Sequence, residues 1–218
     1  MSVLPKSPRA RLDALSEAER GRWLDPAERE FVAEGFEAAS LNRIIAEAGE
    51  SKGRTYHYFA DKGELFRAVF ERRVARLGPL GLEAVEGAGF WKQLAGVAER
   101  LTGAFQSDTV LAALVRTLHA ERAAQEACTV PLIRLRQVTG AVLARGQAAG
   151  AVRDDLPLSL LVEVALDLIV AVDRWFAMNA SEMDPEAEAE VSRRAFTLLM
   201  APLLPLPEMT NWMERPLT

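Results

Sequence analysis

Apolar residues recur along the chain at spacings of three and four, and the two-residue alternation of a half-buried strand is nearly absent. "SEAERGRWL" opens on Ser16 with Glu19 three positions later, the reciprocal pair that satisfies two first-turn N–H groups. Asp25-Pro26 reads as a fresh N-cap and first-turn pair, so this helix is predicted to stop before Pro26. A second helix then runs to about Glu34 and ends at Gly35. Ser40 caps "LNRIIAEAG", which closes on Gly49, and Ser51 caps "KGRTYHYF". Asp61, with Glu64 at the third helical position, caps a helix reaching about Leu77. The glycines and proline between Gly78 and Gly89 read as a loosely structured join. Beyond it, helices are predicted over 90–105, 108–125, 130–149, 157–179 and 184–201, punctuated by Pro131, Gly150, Pro157, Pro185 and Pro202. The expected fold is all-α, with a three-helix head over 16–78 on a larger helical body over 79–218.

Within the head, two short helices flank a tight turn at Gly49-Glu50, the spacing of a helix-turn-helix. Leu41, Ile44, Ile45 and Ala48 form one stripe on the first, and Thr55 and Phe59 share the inward face of the second. At about 100° per residue, the opposite side presents Gly53, Arg54 and His57, with Tyr56 and Tyr58 on its flanks and Lys52 at its start. In a major groove, the Arg54 fork matches guanine O6 and N7. Lys52, Tyr56, Tyr58, Lys62 and the helix start at Ser51 suit phosphates. Taken singly, Tyr56, His57 and Tyr58 fit a solvated helix face equally well. Their joint placement behind the turn is what points to nucleic acid.

Charge adds a weak constraint. The whole chain carries a formal −5, yet residues 1–78 hold 14 Lys and Arg against 13 Asp and Glu, and residues 79–218 hold 12 against 18. A nucleic-acid contact is therefore expected in the first third or not at all. Half of the 218 residues are apolar, enough for a substantial core, and the single cysteine, Cys128, excludes an internal disulfide. The start "MSVLPKSPRARLDAL" lacks the apolar stretch of a secretory signal. The most apolar run, "LPLSLLVEVALDLIVAV", is interrupted by Glu163 and Asp167, against a membrane span. A cytoplasmic protein is expected.

The run from Trp23 to Phe70, "WLDPAEREFVAEGFEAASLNRIIAEAGESKGRTYHYFADKGELFRAVF", resembles the DNA-binding head of the TetR family of transcriptional regulators. An apolar helix ends in Phe and Gly, a Ser cap follows, then Ile-Ala before Ala-Gly, Ser-Lys-Gly, Tyr-x-x-Phe and Lys-x-x-Leu. The resemblance implies DNA contacts from Ser40 and Asn42, from Ser51, Lys52, Gly53, Arg54, Tyr56, His57 and Tyr58, and from Lys62. Four positions depart from the family pattern. Glu50 stands where a small apolar residue is usual, Thr55 where leucine is common, Arg54 where the residue is small, and Pro26 interrupts a helix that is normally continuous. Leaner packing beneath the recognition helix is expected from Thr55, a weaker head from Glu50 and Thr55 together, and a changed base preference from Arg54.

Residues 157–179 are apolar on nearly every side (Leu160, Leu161, Val164, Leu168, Ile169, Val172, Trp175, Phe176). Such a helix needs partners on several faces. The last helix supplies one, and a second copy of both would complete a four-helix bundle in a homodimer. The alternative is the centre of a monomeric body. The resemblance further implies an unidentified small apolar or aromatic effector. Phe90, Trp91, Phe105, Leu114, Leu118, His119, Arg122 and Trp175 are the candidate lining. The function so implied is a ligand-responsive regulator, most simply a repressor, which binds double-stranded palindromic operator DNA and is released by its effector. The competing reading is a helical interaction module that no longer reads DNA. An enzyme is not expected: His119 and Cys128 fall on different helix faces, their spacing fits no zinc site, and no glycine-rich phosphate loop follows a strand. No cofactor is implied.

Overall fold

The computed structural model describes residues 7–87, 89–179 and 183–205. Residues 1–6 of the stretch read for a signal, and 206–218 of the predicted body, lie outside them. Among the described residues there are helices and connecting turns, and no strand. The chain divides into two compact units, Met1–Gly78 with Thr102–Ile133, and Pro79–Leu101 with Arg134–Thr218.

In the first unit, α1 (Pro8–Asp13) is capped by Ser7, whose hydroxyl accepts the Ala10 N–H at 3.2 Å. Only its Leu12 enters the core, too little periodicity for the sequence to announce it. The Ser16/Glu19 capping box forms at the start of α2 (Glu17–Glu34). Contrary to the predicted break, α2 runs uninterrupted through Pro26. An interior proline costs about 3 kcal/mol. Trp23, Leu24, Ala27 and Phe31 lie on both sides of it and are all 2% exposed or less. Burying a large apolar side chain contributes roughly 1.5–3 kcal/mol. Three such side chains in one core outweigh the lost backbone bond, so α2 stays whole.

Helices α3 (Leu41–Glu47), α4 (Lys52–Tyr58) and α5 (Lys62–Ala75) start where the sequence places them. Ser40, Ser51 and Asp61 accept the N–H groups of Arg43, Arg54 and Glu64. Helix α6 (Phe90–Ser107) leads into α7 (Thr109–Ala120), α8 (Arg122–Ala127) and α9 (Thr129–Ala148). The predicted single helix over 108–125 is thus two, because Glu121 adopts an extended backbone, φ −118° and ψ 118°. Its carboxylate explains the break. It accepts the backbone N–H of Phe36 at 3.2 Å and of Glu37 at 2.6 Å. Gly35, at φ 75° and ψ −169°, makes room, since a Cβ there would stand 2.4 Å from Glu121 Oε1.

The core of this unit joins Trp23, Phe31, Ile44, Phe59, Leu65, Phe66 and Val69 to Leu114, Leu118, Ala124 and Cys128. Phe66 meets Phe31 and Phe36 edge-on, with ring centroids 5.0 and 5.2 Å apart. Around its edge, Arg73 donates to Glu28 through Nε at 2.6 Å and through Nη2, while its Nη1 donates to Asp108, the cap of α7, at 3.1 Å. Arg72 adds bonds to Asp25 at 2.7 Å and Glu28 at 3.1 Å. Burial acts to raise the carboxyl of Glu28, but the bonds and charge of Arg73, then Arg72, hold it below its usual range. Asp108 is likewise lowered despite partial burial, by the Leu111 N–H and by Arg73.

In the second unit the first turns of α6 share a core with α9, α10 (Leu158–Asn179) and a 3-10 turn, Ala201–Leu203, and α11 (Pro185–Met200) packs on α10 and that turn. Phe90, Val97, Val142, Leu143, Val152, Leu161 and Leu203 form its core. The glycine-rich join carries one 3-10 turn, Leu82–Ala84, tied down by Arg145, which donates to the Val85 carbonyl at 3.1 Å and to that of Leu82.

Candidate nucleic-acid interface

The interface is built on α3, the turn and α4. Ile44 and Ile45 bury one side of α3, and Thr55 and Phe59, each 1% exposed, bury the inner side of α4. With that side fixed, Lys52, Gly53, Arg54, Tyr56 and His57 are all exposed. Nothing lies within 4 Å of the place a Gly53 Cβ would take, so another molecule can approach the backbone there. Ser51 caps α4, with its hydroxyl on the Arg54 N–H at 3.2 Å. Gly49, at φ 65°, makes the turn.

Thr55 does not leave a void. Trp23 lies against the recognition helix, its indole N–H donates to Thr55 Oγ1 at 3.3 Å, and its ring meets Tyr58 at 4.9 Å and Phe59 at 6.3 Å. The Thr55 hydroxyl donates in turn to the Ser51 carbonyl at 3.1 Å. A threonine in the leucine position is thus matched by a tryptophan with a polar edge. Glu50 is also absorbed. Its side chain, 8% exposed, sits between Arg22 at 3.7 Å and Arg54 at 3.4 Å.

The remaining candidates divide. Asn42 is exposed at the start of α3, and Ser40 is half-buried, its N–H bonded to Glu30 at 2.6 Å. Tyr58 is half-buried against the core, with His57 edge-on to it at 4.9 Å. Lys62 holds the head together. Its ammonium donates to the carbonyls of Glu37 and Ala39, each at 3.0 Å, and lies 4.8 Å from the Phe36 ring centroid. Arg11 is a participant the sequence did not point to. Its Nε donates to the His57 carbonyl at 2.8 Å, bracing the C-terminal end of α4 from α1. Sequence spacing could have shown the Glu50–Arg54 pair, four apart, but not Arg11 or Arg22, whose partners are distant in the chain.

The signature described as "Bacterial regulatory proteins, tetR family" matches residues 24–69, the segment that builds this interface. The HTH-type transcriptional repressor Rv1474c of Mycobacterium tuberculosis is 30% identical over 177 residues, 80% of this chain and 89% of that protein. The chain belongs to the TetR family. Within the family, likeness to the HTH-type transcriptional repressor SCO4008 of Streptomyces coelicolor is confined to 74 residues at 36% identity, 33% of this chain and 38% of that protein. The crystal structure of the regulator FadR from Bacillus subtilis, in complex with stearoyl-CoA, superposes with a TM-score of 0.66 at 18% identity. It covers 83% of this chain and 97% of that one, and shows that the two share a fold.

The candidate effector residues of this TetR-family chain divide between the two units. Leu114 and Leu118 are core in the first unit, with Phe105 and His119 half-buried and the Arg122 side chain 88% exposed beside Glu126. In the second unit Phe90 is core, Trp91 donates its indole N–H to the Ala151 carbonyl at 2.9 Å, and Trp175 is exposed. Two recesses stand out among the described residues. One of about 530 Å³ lies beside Arg9, Glu71 and Arg72, and one of about 280 Å³ beside Gln147, Arg153 and Asp155. None of the candidate effector residues lines either.

Proposed function

We propose that this chain is a ligand-responsive transcriptional repressor that binds a palindromic operator as a homodimer and works in the cytoplasm. One observation carries the reading. The face of α4 that holds a cation fork, an imidazole, a phenol and an open glycine is the exposed one, while its opposite face is locked by Thr55 and Phe59. Arg54 and His57 would meet base edges, with Lys52, Tyr56 and the N-terminal turn at Ser51 on phosphates. Membership of the family and the likeness to repressors support it.

The dimer has support of its own. Leu160, Ile169, Val170, Trp175 and Met178 of α10, and Leu198 of α11, are large apolar side chains left exposed on the single chain. A second copy would cover such a surface, and its two-fold axis would present two heads to half-sites about one DNA turn apart, roughly 34–36 Å or a multiple. An effector would act by favouring a conformation whose heads miss consecutive grooves. The fold neighbour from Bacillus subtilis holds stearoyl-CoA, and an apolar or aromatic effector is our proposal for this chain as well.

The test is selection from random duplex DNA by the purified protein. A two-fold symmetric site is expected, with affinity that falls steeply as salt rises. Recovery of no preferred sequence at low salt, from folded protein, would overturn the reading and favour an interaction module.

A further inference from the structure

Helix α1 lies outside residues 24–69, which carry the family signature, yet it packs against the recognition helix. It meets α4 at the end where backbone partners run out. A helix leaves its last four carbonyls without an N–H of its own. The Phe59 N–H returns to the Thr55 carbonyl at 2.9 Å, and the Ala60 N–H turns away to Glu64 at 2.7 Å. The His57 carbonyl is taken instead by Arg11 Nε at 2.8 Å, from 46 positions earlier in the chain. A charged donor on a carbonyl makes a stronger bond than a neutral one. Helix α1 is itself held at its other side. Leu12 is 3% exposed in the core, and Arg9 pairs with Glu71 of α5 at 2.5 Å. So α1 is a strut that runs from α5 to the end of the recognition helix.

We propose that Arg11 is a positioning residue for base reading, which fixes the C-terminal end of α4 so that His57 meets its base at one depth and tilt. The inference rests on the DNA-binding reading given above. A bond to a base edge needs donor and acceptor about 2.7–3.2 Å apart and well aligned. A phosphate contact from a long side chain such as Lys52 tolerates a small shift and carries no sequence information. Trp23 already holds the inner side of α4 through Thr55 and Tyr58. What it leaves is the end of a seven-residue helix, where His57 is exposed and its own carbonyl is the atom that Arg11 grips. Without that bond, the operator complex has to order this end as it forms, at a cost in affinity. A random duplex held by backbone charge does not need the end ordered. The loss therefore falls first on the operator.

The experiment titrates full-length protein against two labelled duplexes, the site recovered by selection and a scrambled duplex of equal length. It compares wild type with Arg11→Met and the conservative Arg11→Gln. Glutamine carries its Nε2 where arginine carries Nε, so it keeps a donor for the carbonyl and drops the rest of the guanidinium. Methionine puts a methyl group there. Arg11→Met is expected to lower the ratio of operator to scrambled affinity by about three- to tenfold, and Arg11→Gln to restore most of it. The preference lost in Arg11→Met should fall at the base pairs where His57→Ala loses its own. Equal narrowing in both variants would make Arg11 a DNA contact through its guanidinium, and equal weakening on both duplexes would make it a general stabiliser. Either result overturns the proposal. Should Arg11→Met melt at a much lower temperature, Arg9→Ala frees the α5 end of the strut with Arg11 intact. It should narrow the ratio in the same direction, and an unchanged ratio would reject the proposal. If wild type recovers no site, it is the DNA-binding reading that fails, and this one with it. If wild type recovers a site and Arg11→Met matches it, only the role of Arg11 fails.

Discussion

At Thr55 a single hydroxyl joins two elements: it accepts from the Trp23 indole and donates to the Ser51 carbonyl beneath the recognition helix. Thr55→Val keeps the shape and leaves the buried indole N–H without an acceptor, which costs about 1–3 kcal/mol. A urea melt should register that loss in its midpoint, and an unmoved midpoint would mean the bond contributes nothing. Cys128 offers a second check at this scale. It is fully buried, and burial, then the charge of Glu71, pushes its thiol up to about 12. An alkylating reagent at pH 8 should therefore fail to label it until the protein is unfolded. The inward residues Ile44, Ile45, Thr55 and Phe59 were legible because helical spacing alone assigns them a face. The partner of Thr55 was not, since Trp23 lies 32 positions away and nothing local links the two.

Helix starts were legible for the same local reason. A Ser or Asp cap and the N–H it satisfies lie three residues apart, as at Ser16, Ser40, Ser51 and Asp61. The break at Glu121 depends on N–H groups 85 and 84 positions away, so a purely local reading ran one helix through it. That carboxylate ties the junction of α7 and α8 to the loop between α2 and α3. Gly35→Ala should destabilise the protein by about 1–3 kcal/mol, through a backbone region reserved for glycine and the displacement of Glu121. Glu121→Ala should lower the melting temperature less, and should speed hydrogen exchange at the Phe36 and Glu37 amides. Unchanged exchange there would show that the carboxylate holds nothing. Acid should release a second tie between elements. Glu28 and Asp108 have folded pKa values below their unfolded values of 4.5 and 3.8. Their contribution is thus present above the unfolded pKa and lost as pH falls through the folded one. Melting temperature measured from pH 6 down to pH 3 should fall, and Arg73→Met should flatten part of that fall.

Across the whole molecule, the apolar surface of α10 and α11 predicts that Leu198, 59% exposed in the single chain, is buried between two copies. Leu198→Glu should shift sedimentation at micromolar concentration toward the monomer and weaken operator binding while the helical signal stays. A variant that remains dimeric would remove this surface from the interface. The all-round apolar character of α10 was plain in the sequence, whereas the allotment of 102–133 to the same compact unit as the head was not, because it rests on Leu114 and Leu118 finding Phe66 and its neighbours. Pro26 has a last consequence, and it concerns time. A helix with a proline at its centre is a poor nucleus, since the turn that should propagate lacks a donor. A peptide spanning Ser16–Gly35 should show little helicity in water. In the intact chain α2 should therefore form only as α5 collapses onto it, so that the head assembles in one concerted step instead of growing outward from its longest helix.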